Sequence, residues 1–480
     1  MGPGASGGGR ALSGAEQAIV ALDARRERTL EELIEFSRIP GVSAPGFEPA
    51  QVVRSAEHVA GLLEDVGLER VEVLQVEGSH PYVLGEWLDA PDDAPTVLIY
   101  AHHDVQPPGR AERWESPAFE PTLRADGRLY GRGVVDDKAG LMLHLAALRG
   151  WLDAAGGLPV RVKLLVEGEE EIGSPNLTGF LREHRERLAA DVIVLSDTAN
   201  LATGVPALTT SLRGMVSVAV TVRALERPLH SGLWGGPVLD AATALSRVLA
   251  RLVDDDGRIA LDGIEDDVPE LTDAERARLA ALPFDADDFR REAGLPAGVR
   301  VAGDASRSVY ERLWLRPSVA VIALESAPLA GASNQLIDEA RALVGVRVAP
   351  GQDPVRVRGL VQRALEADPP WGVQVQVRPG AAVPGWRTVP EGPAFDAARR
   401  ALAAGYGRPS VEIGCGGTIP FVGPFAEVLG GAPALLLGLE DPICNAHGEN
   451  ESLHLGDFDK SCRAAAWLLD ELRSVPRLGR

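Results

Sequence analysis

The sequence predicts an α/β protein in which a discontinuous domain, built on an open sheet, is interrupted by a smaller α+β domain. Three observations carry this. Short continuous apolar runs alternate with helical periodicity between residues 96 and 195, as buried parallel strands and their crossover helices do. The middle of the chain instead shows alternating runs, the mark of half-exposed antiparallel strands. From about Trp386 the first texture returns.

Taken in order, residues 16–67 have helical periodicity through Leu30, Leu33 and Ile34, then Val59, Leu62 and Leu63. Thr96–Tyr100 is an apolar run of strand length, 141–152 reads as a helix, and 160–166 as a second strand. A helical stretch at 181–188 precedes a third strand, 192–195. After about Pro206, segments 215–222 and 373–377 alternate, with helices at 238–253 and 353–366. A helix near 394–405, an apolar strand 434–437 and an amphipathic helix 459–474 close the chain. The larger domain therefore takes 16–207 plus 385–480, and the smaller takes 208–384. The first 15 residues read as a flexible tail. Within the smaller domain, 254–305 is acidic and loop-rich, with Asp254-Asp255-Asp256 and Glu265-Asp266-Asp267. No histidine accompanies these acids, so the stretch reads as a solvated insertion.

Composition narrows the function. Across 480 residues, 48 Lys and Arg oppose 69 Asp and Glu, a net charge of −21. Such a field repels phosphate backbones and anionic lipid, so neither nucleic acid nor membrane is an expected partner. Three cysteines (Cys415, Cys444, Cys462) make no disulfide framework. With no signal-type apolar core or membrane-length run, the expected location is cytoplasmic.

Among nine histidines, His58, His144 and His184 lie within helical patterns and His80 in a loop, all read as structural. His102 and His103 differ, because they follow directly on the strand 96–100, where open α/β sheets place their ligands. His102 with Asp104 can supply a metal ligand and its orienting group, but the pair alone does not decide between that and a structural role. Carboxylates gather at comparable positions. Gly131-Arg132-Gly133 runs into Asp136-Asp137, the second strand ends in Glu167-Gly168-Glu169-Glu170-Glu171, and the third in Ser196-Asp197. Crowding such acids costs repulsion unless cations compensate. Near the end, Asn445-Ala446-His447-Gly448 offers a second imidazole. Mixed His and carboxylate ligands suit Zn²⁺ or Mn²⁺. Two such ions sharing a carboxylate form a hydrolytic centre, with a spare carboxylate as base.

In this order, AHHDVQP, LYGRGVVDDKAG, EGEEEIGS, SDT and NAHGENE resemble a family of di-metal peptidases. That family includes carnosine dipeptidases, carboxypeptidase G, succinyl-diaminopimelate desuccinylase and aminoacylase. The resemblance implies a three-layer, mixed-sheet catalytic domain of the phosphorylase/hydrolase type and a lid and dimerisation domain. It also implies two divalent ions per subunit, Zn or Mn, a small peptide substrate and a homodimer joined through the lid. By the same resemblance His102 and Asp197 hold one ion, Glu171 and His447 the other, and Asp136 bridges them. Glu170 is then the general base, Asp104 orients His102, and the Asp136–Asp137 peptide is cis. In the lid, His230, Asn334 and Arg347 match substrate contacts, and Gly416, Gly417 and Thr418, in GGTIP, match a loop that holds the substrate terminus. For Arg347 the chemical reason is bidentate binding of a carboxylate, against an alternative as a plain exposed strand residue. His-x-Asp-Val-Gln-Pro and the insertion before Arg312 are most similar to the cytosolic non-specific dipeptidase branch. Ala101, His103 and Thr418 depart from its usual residues. The expected activity is hydrolysis of dipeptides or similar small peptides. The alternatives are an N-acyl-amino-acid amidohydrolase or carboxypeptidase of the same family, and a non-catalytic peptide- or metal-binding homologue.

Overall fold

The computed structural model describes residues 12–419 and 422–478. Residues 1–11 of the expected tail, and Pro420 of the GGTIP loop, lie outside them. Two compact units share the chain. One takes Met1–Thr209, Pro390–Glu412 and Pro420–Arg480, and the other Thr210–Val389 with Ile413–Ile419.

The larger unit is built on a mixed sheet. In spatial order its strands are Glu69–Leu74, Tyr82–Trp87, Arg161–Glu167, Thr96–His102, Val192–Ala199, Ala434–Glu440 and Ala207–Leu212. The middle strands, from Arg161–Glu167 to Ala434–Glu440, run parallel; the flanking pairings are antiparallel. Thr96–His102 is buried from Val97 onward, which is why it reads as an unbroken apolar run. Helix Lys138–Ala155 is buried along nearly its whole length, as an all-round apolar helix must be, and ends on Gly156 at φ +66. It packs with Gly14–Ala24 and Leu455–Glu471 around a core that includes Leu22, Leu145, Leu148, Trp151 and Leu468.

The smaller unit is a four-stranded antiparallel sheet in the order Ser318–Glu325, Glu339–Val348, Gly214–Arg223, Gln374–Val383. Val216, Val218, Val220 and Val222 point into a core shared with helices Ala241–Leu249 and Pro354–Glu366. The edge strand Ser318–Glu325 leaves Val321, Ile322 and Leu324 exposed.

Three details differ from the sequence reading. The first helix begins at Gly14, inside the expected tail, because Ser13 and Glu16 form a reciprocal capping box. The 254–305 stretch contains two short capped helices, Asp273–Ala281 and Ala286–Glu292. Segment Ile413–Ile419 belongs to the smaller unit, tied there by Arg213 Nε to Gly416 O at 3.1 Å and Thr418 Oγ1 to Arg213 O at 2.7 Å.

Candidate metal centre

The parallel register brings the chemistry together. His102 stands opposite Glu167, and Tyr100 opposite Leu195, so the residues that follow these strands share one carboxyl edge. The turn 131–137 enters the same edge just before helix Lys138–Ala155. Gly133 sits at φ +77, and a Cβ there would collide with Val105, so only glycine lets the turn pass this closely. The Asp136–Asp137 peptide is cis. His447 lies in the loop after Ala434–Glu440, in the left-handed region at φ +64.

Asp136 is the hub. Its Oδ1 is 3.1 Å from His102 Nε2 and its Oδ2 is 2.9 Å from His447 Nε2. Asp197 Oδ2 is 3.7 Å from His102 Nε2, and Glu171 Oε2 is 3.2 Å from His447 Nε2. Two groups result, His102–Asp136–Asp197 and Asp136–Glu171–His447, each with one ligand atom per residue, all within 4.8 Å of one another. His102 is fully buried, whereas the His447 side chain is 58% exposed. Glu170 and Glu171 follow each other on a short 3₁₀ turn, half-buried.

The electrostatics of this cluster are those of a site short of cations. Burial, then the neighbouring acids, push Glu170 and Asp197 well above the usual carboxylate range, with His102 opposing. Burial and Asp136 likewise raise Glu171. Burial disfavours charge on His102, but hydrogen bonds to Asp104 and Asp136 outweigh it and push its pKa well up. Asp136 and Glu171 raise His447 to about 11. Asp136 is buried, yet its two imidazole partners hold it below its ordinary value. Among the described residues no lysine or arginine pairs with Asp136, Glu170, Glu171 or Asp197. Lys138, close in sequence, donates instead to the carbonyls of Phe36 and Ile39. Crowded carboxylates compensated only by two imidazoles are a mixed N/O donor set that fits divalent cations.

Asp104, fully buried, supports this arrangement from below. His102 Nδ1 lies 3.1 Å from its carbonyl and 3.5 Å from its Oδ1. Its carboxylate also accepts Ser43 Oγ at 2.6 Å and the N–H groups of Glu170 and Glu171 at 3.2 and 3.0 Å. Burial opposes its charge, but His102 and Ser43 hold its pKa down. Glu169 secures the other side of the turn, accepting Tyr82 Oη at 2.7 Å and the Asn176 N–H at 3.0 Å. Sequence reasoning overlooked Ser43 and Tyr82, which act across long stretches of chain, and gave Glu169 no role beyond its place in the acidic run.

The remaining expected contacts lie on the smaller unit. His230 precedes the short helix Ser231–Trp234 and accepts the Gly232 N–H on Nδ1 at 3.1 Å. The Asn334 carbonyl accepts Ser231 N and Oγ at 2.9 and 3.0 Å, so His230 and Asn334 form one group. Arg347 Nη1 donates to Thr418 Oγ1 at 2.9 Å, and Gly417 N–H points at Cys415 Sγ, 3.3 Å away. Arg347 and Gly416–Thr418 thus form a second group, which includes Arg213, absent from the sequence reading. Of the other histidines, His103 Nε2 donates to the Pro81 carbonyl (3.0 Å), His144 pairs with Ser196 Oγ (3.0 Å), and His454 caps the last helix.

The family model for peptidase family M20/M25/M40 matches residues 98–471. The chain is 33% identical over 451 residues to a cysteinylglycine-S-conjugate dipeptidase of Corynebacterium striatum, covering 93% of this chain and 96% of that one. It resembles the solved structure of the di-peptidase Dug1p from Saccharomyces cerevisiae with a TM-score of 0.86 and 26% identity, covering 97% of this chain and all of that one (100%). Human carnosine dipeptidase 1 matches with a TM-score of 0.86 and 25% identity, over 97% of this chain and 100% of that one.

Proposed function

Because the chain belongs to peptidase family M20/M25/M40, we propose that it is a metal-dependent dipeptidase acting on dipeptides or similar small peptides with a free carboxylate. The observation that carries this is Asp136, which offers one oxygen to each of two imidazole–carboxylate groups. We assign two ions, Zn or Mn, to those groups: His102 and Asp197 to one, Glu171 and His447 to the other, with Asp136 shared. When bound, such ions polarise the scissile carbonyl and make water a stronger nucleophile near neutral pH. The protein's own residues do the rest. Glu170, carried on the turn that Asp104 pins, takes the proton of the attacking water on a carboxylate oxygen and returns it to the leaving amine. Asp104 holds His102 in the orientation that leaves Nε2 facing Asp136. Arg347, with Thr418 fixing one of its nitrogens, takes the substrate carboxylate, and the Gly416–Thr418 loop, His230 and Asn334 orient the rest.

The relatives described above are dipeptidases by name, which favours this reading over N-acyl-amino-acid hydrolysis. We further assign the smaller unit as a lid and homodimerisation module, supported by the exposed apolar edge strand Ser318–Glu325. A cytoplasmic location fits three free cysteines, and among the described residues no helix is long and apolar enough to cross a membrane. The test is a panel of dipeptides against N-acetyl and N-succinyl amino acids with metal-loaded protein. Hydrolysis of dipeptides supports the proposal, and hydrolysis of the N-acyl substrates alone overturns it.

A further inference from the structure

Arg132 and Glu451 form a deeply buried ion pair near the centre, 1% and 0% exposed, at 2.6 Å. Burying two charges is costly, and a well-packed apolar pair of similar volume is often no worse for stability, so the pair calls for another reason. Its contacts supply one. Glu451 Oε2 accepts the Gly133 N–H at 3.1 Å, and Oε1 accepts those of Val135 and Asp136 at 3.2 and 3.3 Å. The Gly133 bend turns these N–H groups towards one point, a backbone nest that needs an anion, and the Glu451 side chain provides it. The Glu451 carbonyl also accepts the Gly131 N–H at 3.0 Å. On the other side, Arg132 Nη2 donates to the carbonyls of His447 at 2.9 Å and Pro107 at 3.1 Å. His447 sits at φ +64, a conformation uncommon for a non-glycine residue and one that its surroundings must hold.

We infer that the Arg132–Glu451 pair is a positioning device. It fixes the Asp136 turn and the His447 loop to each other, and so sets the affinity of the ion that Asp136, Glu171 and His447 share. The inference rests on the two-ion reading above. It has a directional consequence, because Arg132 bonds the His447 carbonyl directly but meets the segment that follows His102 only at the Pro107 carbonyl, five residues on, and among the described residues neither member of the pair bonds the strand carrying Asp197. Loosening the pair weakens one ion far more than the other.

The test is titration of metal-free protein with Zn²⁺ against a chelating dye, for the wild type, Arg132→Lys and Arg128→Lys. Lysine keeps the charge opposite Glu451 but lacks the planar fork with which Arg132 serves Glu451 from Nη1 and the two carbonyls from Nη2. Arg128 is the matched control: it is also buried, and its side chain pairs with Asp441 at 2.7 Å and with Ser452, at the two ends of the His447 loop, but it donates neither to His447 nor to the Asp136 turn. The wild type is expected to bind two ions. Arg132→Lys is expected to keep one at wild-type affinity and to bind the other about 10–100-fold more weakly, the range for residues that orient a ligand. Arg128→Lys is expected to bind both as the wild type does. If Arg132→Lys does not fold, Glu451→Gln is read in the same way. Wild-type affinity at both sites in the variant, equal weakening of both, or the same loss in Arg128→Lys overturns the inference. A wild type binding fewer than two ions overturns the two-ion reading itself, and the inference with it.

Discussion

Asp104→Asn probes how the metal ligands and the base are held together. Asp104 Oδ1 accepts the Glu170 N–H at 3.2 Å, and Oδ2 accepts Ser43 Oγ at 2.6 Å and the Glu171 N–H at 3.0 Å. Asparagine has one acceptor oxygen, so in either orientation its amide nitrogen faces one of those backbone N–H groups. A buried donor left unpaired costs about 1–3 kcal/mol. Urea unfolding of the metal-free protein at pH 7 should therefore lose stability by that amount. The 3.1 Å contact from His102 to the residue 104 carbonyl survives the change, so metal affinity should fall only about tenfold, the low end for an orienting residue. The pH dependence adds a sign. The Asp104 pKa is depressed in the folded protein, so its contribution is present at neutral pH and is lost as pH falls through that depressed value. The variant should lack this component of the acid-limb slope. Unchanged stability together with an unchanged acid limb would refute the reasoning.

Three further outcomes are expected. Arg347→Lys should lower kcat/KM for dipeptides about 10–100-fold, mainly through KM, because a charge-assisted bond is worth about 1.5–3 kcal/mol and lysine cannot form the bidentate pair; an effect confined to kcat would contradict the carboxylate assignment. Metal binding should release protons and strengthen with rising pH. His447 carries a pKa raised to about 11, so it is protonated at neutral pH until an ion displaces its proton. Calorimetry in buffers of different ionisation enthalpy measures this, and zero release at pH 7 would contradict it. If the edge strand joins the proposed homodimer, placing aspartate at Ile322 and Leu324, 58% and 62% exposed there, should shift sedimentation from dimer to monomer, and a wild type that sediments as a monomer or a variant that stays a dimer would contradict that interface.

What the sequence disclosed follows from how its residues act. His102, Asp136, Glu171 and Asp197 were readable because each stands at or just after the end of an apolar or glycine-marked segment. Three of the strands that escaped notice lack such patterning. Glu69–Leu74 and Ser318–Glu325 are edge strands with no buried face to impose alternation, and Tyr82–Trp87 is buried throughout but interrupted by Gly85 and Glu86. The role of Glu451, the last residue of NAHGENE, was hidden for another reason. It works through backbone N–H groups more than three hundred positions earlier in the chain, a pairing no local pattern encodes. The place of Ile413–Ile419 was hidden likewise, since it depends on Arg213, between two strands, and Arg347, on a third, reaching the loop from positions far away in the chain.

The most direct measurement compares wild type and Glu170→Gln, each fully metal-loaded, for bound metal and for turnover of a dipeptide. Glutamine keeps the shape of the side chain and cannot take the proton. Metal content should be unchanged while kcat falls by about 10²–10⁴-fold, the usual contribution of a general base. Near-wild-type turnover by a metal-loaded Glu170→Gln protein would contradict the account.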